Sequence, residues 1–315
     1  MRPVLKFGAA AAVLGIATVA ALSAWPVGVE PEPIELVGDI ERGAYLARAS
    51  GCIACHTNFE DGGAPLSGGA PLPTDFGTFY PPNITTDPDF GIGAWTVEDF
   101  ARAVRQGIGP DGAPYYPTFT YPFYADFSDQ DIADLWAAFQ TVPPVAENAP
   151  SHDVVFPFDQ RWGLKLWRAA YLDDPATEPL DGKSDVWNRG RELVRGATHC
   201  GACHTERNLA GARVLDAVFA GNDALPGGND APSIRSPDLI AGGWTVSNLA
   251  YALRTGITPS GDAFGGSMGE VVMYGTSFLT PSDLEAMAIY LLDSDVAGIE
   301  MADAAIPHAT EGEAD

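Results

Sequence analysis

The feature that most limits this chain is that it repeats itself, and that both copies carry one five-residue pattern. Cys52-Ile53-Ala54-Cys55-His56 returns as Cys200-Gly201-Ala202-Cys203-His204, each followed by threonine. Trp95-Thr96-Val97 returns as Trp244-Thr245-Val246, and Arg105-Gln106-Gly107-Ile108 as Arg254-Thr255-Gly256-Ile257. A register that holds over so long a stretch implies two copies of one domain. The copies are expected over 38–142 and 186–295. They would be joined by an ordered, proline-rich linker over 143–185, preceded by a segment over 1–30 and followed by an acidic tail over 296–315.

The motif itself suggests the chemistry. Two thiols at this spacing can add to both vinyl groups of a haem, and the adjacent histidine can ligate its iron. Cys52, Cys55, Cys200 and Cys203 would then be thioether anchors, with His56 and His204 as proximal iron ligands. Two competing readings are a zinc site and a thioredoxin-like redox pair. Zinc needs a fourth donor at each site, and the four cysteines are all used. The redox pair needs a βαβ pattern that neither copy shows. Two motifs in register therefore predict two covalently bound haem c groups.

Each copy reads as a small helical domain. Asp39 is placed to cap a helix ending near Ala49, just before the first motif. Thr96 with Asp99, and Ser128 with Asp131, form capping-box patterns, and the helix after Thr96 should stop at Gly107. Thr280 followed by Pro281 opens the matching last helix of copy two, with Leu284, Met287, Ala288 and Leu291 facing inward. The loop over 58–93 is rich in Gly and Pro and suits a chain wrapped around a large group. The linker should contain one short helix that buries Trp162, Trp167 and Tyr171.

The runs Asn83-Ile84-Thr85, Gly91-Ile92-Gly93-Ala94-Trp95-Thr96, Gly107 through Gly112, Tyr116-Pro117 and Ser128-Asp129-Gln130-Asp131 resemble multi-haem c-type cytochromes. Those proteins serve as electron-accepting subunits of periplasmic alcohol, sugar and aldehyde dehydrogenases. The likeness extends over roughly 40–295, with two motifs here where many such subunits have three. It implies a mainly α fold: two tandem class I cytochrome c domains behind an N-terminal hydrophobic helix. In such domains the first and last helices cross, which points to Gly43 against Phe139 and Gly190 against Tyr290.

The same resemblance calls for a methionine as sixth iron ligand. Copy two offers Met268 in a Gly-rich loop, with Met273 as a fallback that more naturally packs, and Met287 as core. Copy one contains no methionine, and the corresponding places hold Phe119 and Phe127. Its sixth position is therefore open to His152 in the linker, to Met273 across the interface, or to water or nothing. Unequal ligands would give unequal potentials, since thioether sulfur favours reduced iron. His199 should line the edge of the second haem. Arg102, Arg105 and Arg254 could pair with propionates, and Trp95 and Trp244 could donate to the same groups or fill the core.

A formal charge of −25 makes nucleic acid an improbable partner and favours proteins with a basic docking face. The stretch from Phe7 to Val29 is uncharged, with Arg2 and Lys6 ahead of it. It is long enough to cross a bilayer, for which about 20 apolar residues suffice. This orientation would export the rest to the periplasm, anchored to the inner membrane. Cleavage after Ala24 would leave Leu22 at the minus-three position, a poor signal-peptidase match, so the anchor reading is preferred. The function expected is electron relay between a dehydrogenase-type donor and a respiratory acceptor such as a cytochrome or oxidase. The alternative is a diheme redox enzyme, of peroxidase or thiosulfate-oxidising type, working at an open first haem.

Overall fold

The computed structural model describes residues 24–294 and scattered positions between 7 and 22. The tail over 296–315 lies outside the described residues, as do ten of the 23 positions of the expected anchor over 7–29. Among the described residues no helix is long and apolar enough to cross a membrane.

The first half opens with helix α1 (Ile40–Ala49), whose N-terminal amides at Glu41 and Arg42 donate to the Asp39 carboxylate. Helix α2 (Cys52–His56) carries the first motif. Helix α3 (Val97–Gln106) starts in a complete Thr96/Asp99 capping box and stops at Gly107, which takes the left-handed conformation a C-terminal glycine allows. Helix α4 (Asp129–Phe139) starts in the Ser128/Asp131 box. The second half repeats the plan with α6 (Asp185–Arg195), α8 (Val246–Thr255) and α10 (Pro281–Leu291). It adds α7 (Ser236–Ala241) and α9 (Gly266–Tyr274). The linker supplies helix α5 (Trp162–Tyr171).

First and last helices cross in both halves, α1 on α4 and α6 on α10. Both crossings depend on a glycine. A Cβ on Gly190 would lie 1.9 Å from the Ala286 carbonyl oxygen and 2.8 Å from the Tyr290 Cβ. A Cβ on Gly43 would lie 1.9 Å from the Asp134 oxygen and 2.9 Å from the Ala138 Cβ. The expected partner Phe139 is thus one position off. Asp134 and Ala138 share a helix face, whereas Phe139 turns inward and packs against Phe100 at 5.5 Å.

The loop over 58–93 is not structureless. It holds an antiparallel hairpin, β1 (Leu72–Thr74) and β2 (Gly77–Phe79), and the linker adds β3 (Asp153–Val154) to its edge. A smaller hairpin, β4 (Asn222–Leu225) and β5 (Asn229–Ala231), occupies the matching region of the second half.

One apolar cluster gathers Ala47, Ile92, Phe100, Ile132, Leu135 and Phe139 in the first half. Another gathers Leu193, Val194, Leu249, Leu253, Leu284 and Met287 in the second, with Met287 fully buried as expected. Tyr45, Leu46 and Phe127 from the first half pack onto that second cluster. The Tyr45 hydroxyl also donates to Asp283 at 2.5 Å, so the halves are joined by bonds as well as by apolar area.

Of the linker aromatics, Trp162 and Trp167 are half-buried but Tyr171 is 41% exposed. Helix α5 ties to both halves. Arg168 donates to the Gln106 carbonyl at 2.6 Å and Trp167 donates to the Ala210 carbonyl at 2.8 Å.

Candidate haem-attachment sites

The two motifs are positioned by the same devices. Each is preceded by a residue in the left-handed region, Gly51 at φ 68° and His199 at φ 39°. This reverses the chain after the first helix of each half and leaves Cys52 and Cys200 half-buried, with Cys55 and Cys203 exposed. The peptide N–H of Gly68 donates to the His56 carbonyl at 3.0 Å, and that of Gly221 to the His204 carbonyl at 3.1 Å. Thr57 accepts from the Leu66 amide at 3.1 Å, and Thr205 from the Phe219 amide at 3.1 Å.

Both motif histidines are oriented by a proline carbonyl. His56 Nδ1 lies 2.7 Å from the Pro82 oxygen, and His204 Nδ1 lies 2.7 Å from the Pro232 oxygen. A carbonyl can only accept, so Nδ1 carries the proton and Nε2 keeps its lone pair. Burial also holds both imidazoles below their ordinary pKa, though the proline bonds oppose this. A neutral ring with a fixed tautomer and a free Nε2 is what a metal ligand requires. The sequence did not point to Pro82 or Pro232.

None of the four cysteines is paired in a disulfide. Burial pushes Cys52 up to about 12 and Cys200 up to about 11. Cys55 reaches the surface, yet the protein around it still raises its thiol to about 11, with Cys203 and Glu270 adding to the effect. Among the described residues no three His, Cys, Asp or Glu side chains are gathered as a metal-binding group. Two thiols beside a histidine whose Nε2 is free fit covalent haem tethering at each motif, where the cysteines would be the anchors and His56 and His204 the iron ligands.

The proposed sixth ligands sit differently from expectation. Met268 lies in the first turn of helix α9, not in a flexible loop, half-buried against the second core. Met273, expected to pack, is 61% exposed on the same helix. Helix α9 rests on α2, the helix of the first motif, and Tyr274 stacks on Phe59 at 3.9 Å.

His152 lies beside the first half, against the rings of Phe79 and Tyr116. Its Nδ1 accepts from the Tyr80 amide at 3.2 Å, so the proton is on Nε2. As placed, His152 offers a donor where a ligand would offer a lone pair. Phe119 and Phe127, which replace methionine in the first half, pack with Phe123 and Tyr124 onto Ala202, inside the second motif. These aromatics thus join the two sites.

The remaining expectations divide. His199 lies between the motifs, with its ring 6.0 Å from those of both Phe123 and Tyr124. Arg105 donates to the Phe127 carbonyl at 2.6 Å, and Arg254 to the Leu279 carbonyl at 2.8 Å. These two arginines hold the loop ahead of each last helix. Arg102 pairs with Glu30 at 2.9 Å. Trp95 and Trp244 pack against the two cores.

Compared with known proteins, residues 40–139 match the cytochrome c family. A diheme cytochrome c-type protein of Cereibacter sphaeroides is 41% identical over 270 residues, covering 84% of this chain and 90% of that protein. The cytochrome c subunit of a quinone-type alcohol dehydrogenase from Gluconobacter oxydans is 40% identical over 261 residues. The gluconate 2-dehydrogenase cytochrome c subunit of Pantoea cypripedii is 39% identical over 261 residues. In both cases 80% of this chain is covered, but it spans only 54% and 58% of those subunits.

Proposed function

Because the chain belongs to the cytochrome c family, we propose that it carries two covalent haem c groups and relays electrons from a dehydrogenase to a respiratory acceptor. The observation that carries this reading is the doubled site: two Cys-x-x-Cys-His motifs, each with its histidine fixed by a proline carbonyl at 2.7 Å. Haem supplies one-electron exchange at its iron. Cys52 and Cys55 would tether one group and Cys200 and Cys203 the other, with Nε2 of His56 and of His204 on the iron.

Met268 is the sixth ligand we assign in the second half. In the first half the aromatic loop offers no thioether. His152 can serve only by giving up its bond to the Tyr80 amide and moving its proton from Nε2. With His152 or no protein ligand on the first iron, the second site is the one with sulfur and the higher potential; Met273, on the helix that rests on α2, would instead bring sulfur to the first.

The dehydrogenase partner is inferred from relatives that are subunits of alcohol and gluconate dehydrogenases. The charge of −25 suits transient encounters with basic faces, which weaken as salt rises. The uncharged stretch from Phe7 to Val29 supports a periplasmic location with the chain held at the inner membrane.

Intact-mass measurement of the mature protein tests the reading directly. Two haem additions are expected, together with low-spin spectra and rapid reduction by a periplasmic dehydrogenase. One addition or none would overturn it. Carbon monoxide binding with fast peroxide turnover would move the assignment to a diheme enzyme.

A further inference from the structure

The second motif carries a positive charge that the first lacks. Three residues beyond His204, Arg207 folds back and donates through Nη2 to the carbonyl of Ala202, inside the motif, at 3.1 Å. Its Nη1 donates to the Gly211 carbonyl at 2.7 Å. Both acceptors are neutral.

Arg213 pairs with Arg207 across the same tight turn, lies 4.1 Å over the Phe123 ring, and forms an ion pair with Asp173. Of the two guanidiniums only that of Arg213 is paired with the carboxylate. Among the described residues no carboxylate lies within ion-pair distance of Arg207. The turn belongs to the second half alone: Thr57 and Leu66 are 9 residues apart, and Thr205 and Phe219 are 14 apart. Three residues beyond His56 stands Phe59, an uncharged ring stacked on Tyr274.

We propose that Arg207 sets the reduction potential of the second site above that of the first, so that electrons run from the first half to the second. The inference rests on the reading that each motif holds one haem. Reduction of a ferric iron removes one positive charge. A fixed guanidinium nearby therefore penalises the ferric state more than the ferrous. The half-buried setting leaves that interaction less screened than it would be in water. Arginine keeps its charge at neutral pH even where burial lowers its pKa. The Arg213–Asp173 pair is neutral overall, which leaves the Arg207 charge without an ion-pair partner among the described residues. In the exchange, ferrous iron in the first half is oxidised as ferric iron in the second is reduced. One electron moves, and no proton is required.

The test is a redox titration of the full-length, haem-loaded protein, after mass measurement has confirmed two haems. Arg207→Gln should move one of the two waves to lower potential and leave the other in place. Arg207→Lys, which keeps the charge, should restore it. Asp173→Asn removes the balancing carboxylate and should move the same wave upward. Opposite signs from two neighbouring substitutions are not produced by loosened packing, and the Asp173 variant decides the matter if the glutamine variant does not fold. Waves that stay in place, move together, or move down in Asp173→Asn would overturn the inference. A mass corresponding to one haem would instead defeat the reading on which it rests.

Discussion

His199 and Gly51, the residues just ahead of the two motifs, touch each other: the imidazole Cε1 lies 3.2 Å from where a Cβ on Gly51 would stand. Both adopt the left-handed backbone, which only glycine takes without steric cost. Gly51→Ala adds a Cβ at a positive φ and presses it on His199. It should destabilise the protein by about 1–2 kcal/mol from backbone strain alone. Denaturant unfolding of the haem-loaded protein measures this, and an unchanged midpoint would show that position 51 carries no such strain.

The helix crossings give a second expectation. Gly43→Ala and Gly190→Ala each place a methyl group 1.9 Å from a facing carbonyl oxygen, so the helices must separate. Each should cost roughly 1–3 kcal/mol, the usual range for overpacking. Thermal melting should fall for both variants, while alanine at Gly163, where nothing lies within 4 Å, should be tolerated.

Acid should weaken the crossing of α6 and α10 in the second half, onto which Tyr45 of the first half is bonded. Burial pushes the Asp283 carboxyl up, but the Arg189 fork at 2.9 Å and the Tyr45 hydroxyl more than offset this, leaving it below the usual range. A depressed folded pKa means that the stabilisation is complete above the unfolded value and is lost as pH falls through the folded one. Stability should therefore decline below about pH 4, the ordinary aspartate range. Asp283→Asn should flatten that decline and cost about 3 kcal/mol at neutral pH, the low end for a buried pair since Arg189 keeps some solvent contact. Unfolding followed across the acid range, in both proteins, decides it.

Ligand substitutions should separate the two sites. Met268→Ala should abolish the charge-transfer band of a methionine-ligated ferric haem and lower one potential only. His152→Phe should produce high-spin signal if this residue completes the first iron. An unaltered spectrum in that variant would assign the first sixth position elsewhere. Optical and paramagnetic resonance spectra read both outcomes.

Much of this was legible in the chain. The capping residues Asp39, Thr96, Ser128 and Thr280 bound their helices as read, because the signal there is local. What escaped the sequence depends on chain segments brought together from a distance. Pro82 and Pro232 lie 26 and 28 residues beyond the histidines they hold, so the repeat register is already broken where they occur. Leu66 and Phe219 share a positive φ of 63° and 64°, but nothing in an ordinary apolar residue announces it. The early strands were missed because three-residue strands next to Gly and Pro carry no alternation to detect. Met268 read as loop because Gly265 and Gly266 precede it, and the helix begins there under tertiary contact with the first motif.

The linker helix works as a splint. With Arg168 fastened to the first half and Trp167 to the second, the separation between the two redox sites is set by the chain and not by encounter. With a haem at each motif, as proposed, transfer inside the molecule would be first order, indifferent to dilution and nearly so to salt. Delivery and removal by outside proteins remain second order and electrostatically steered. At low concentration or high ionic strength, the pace of turnover is accordingly decided at the protein's surface.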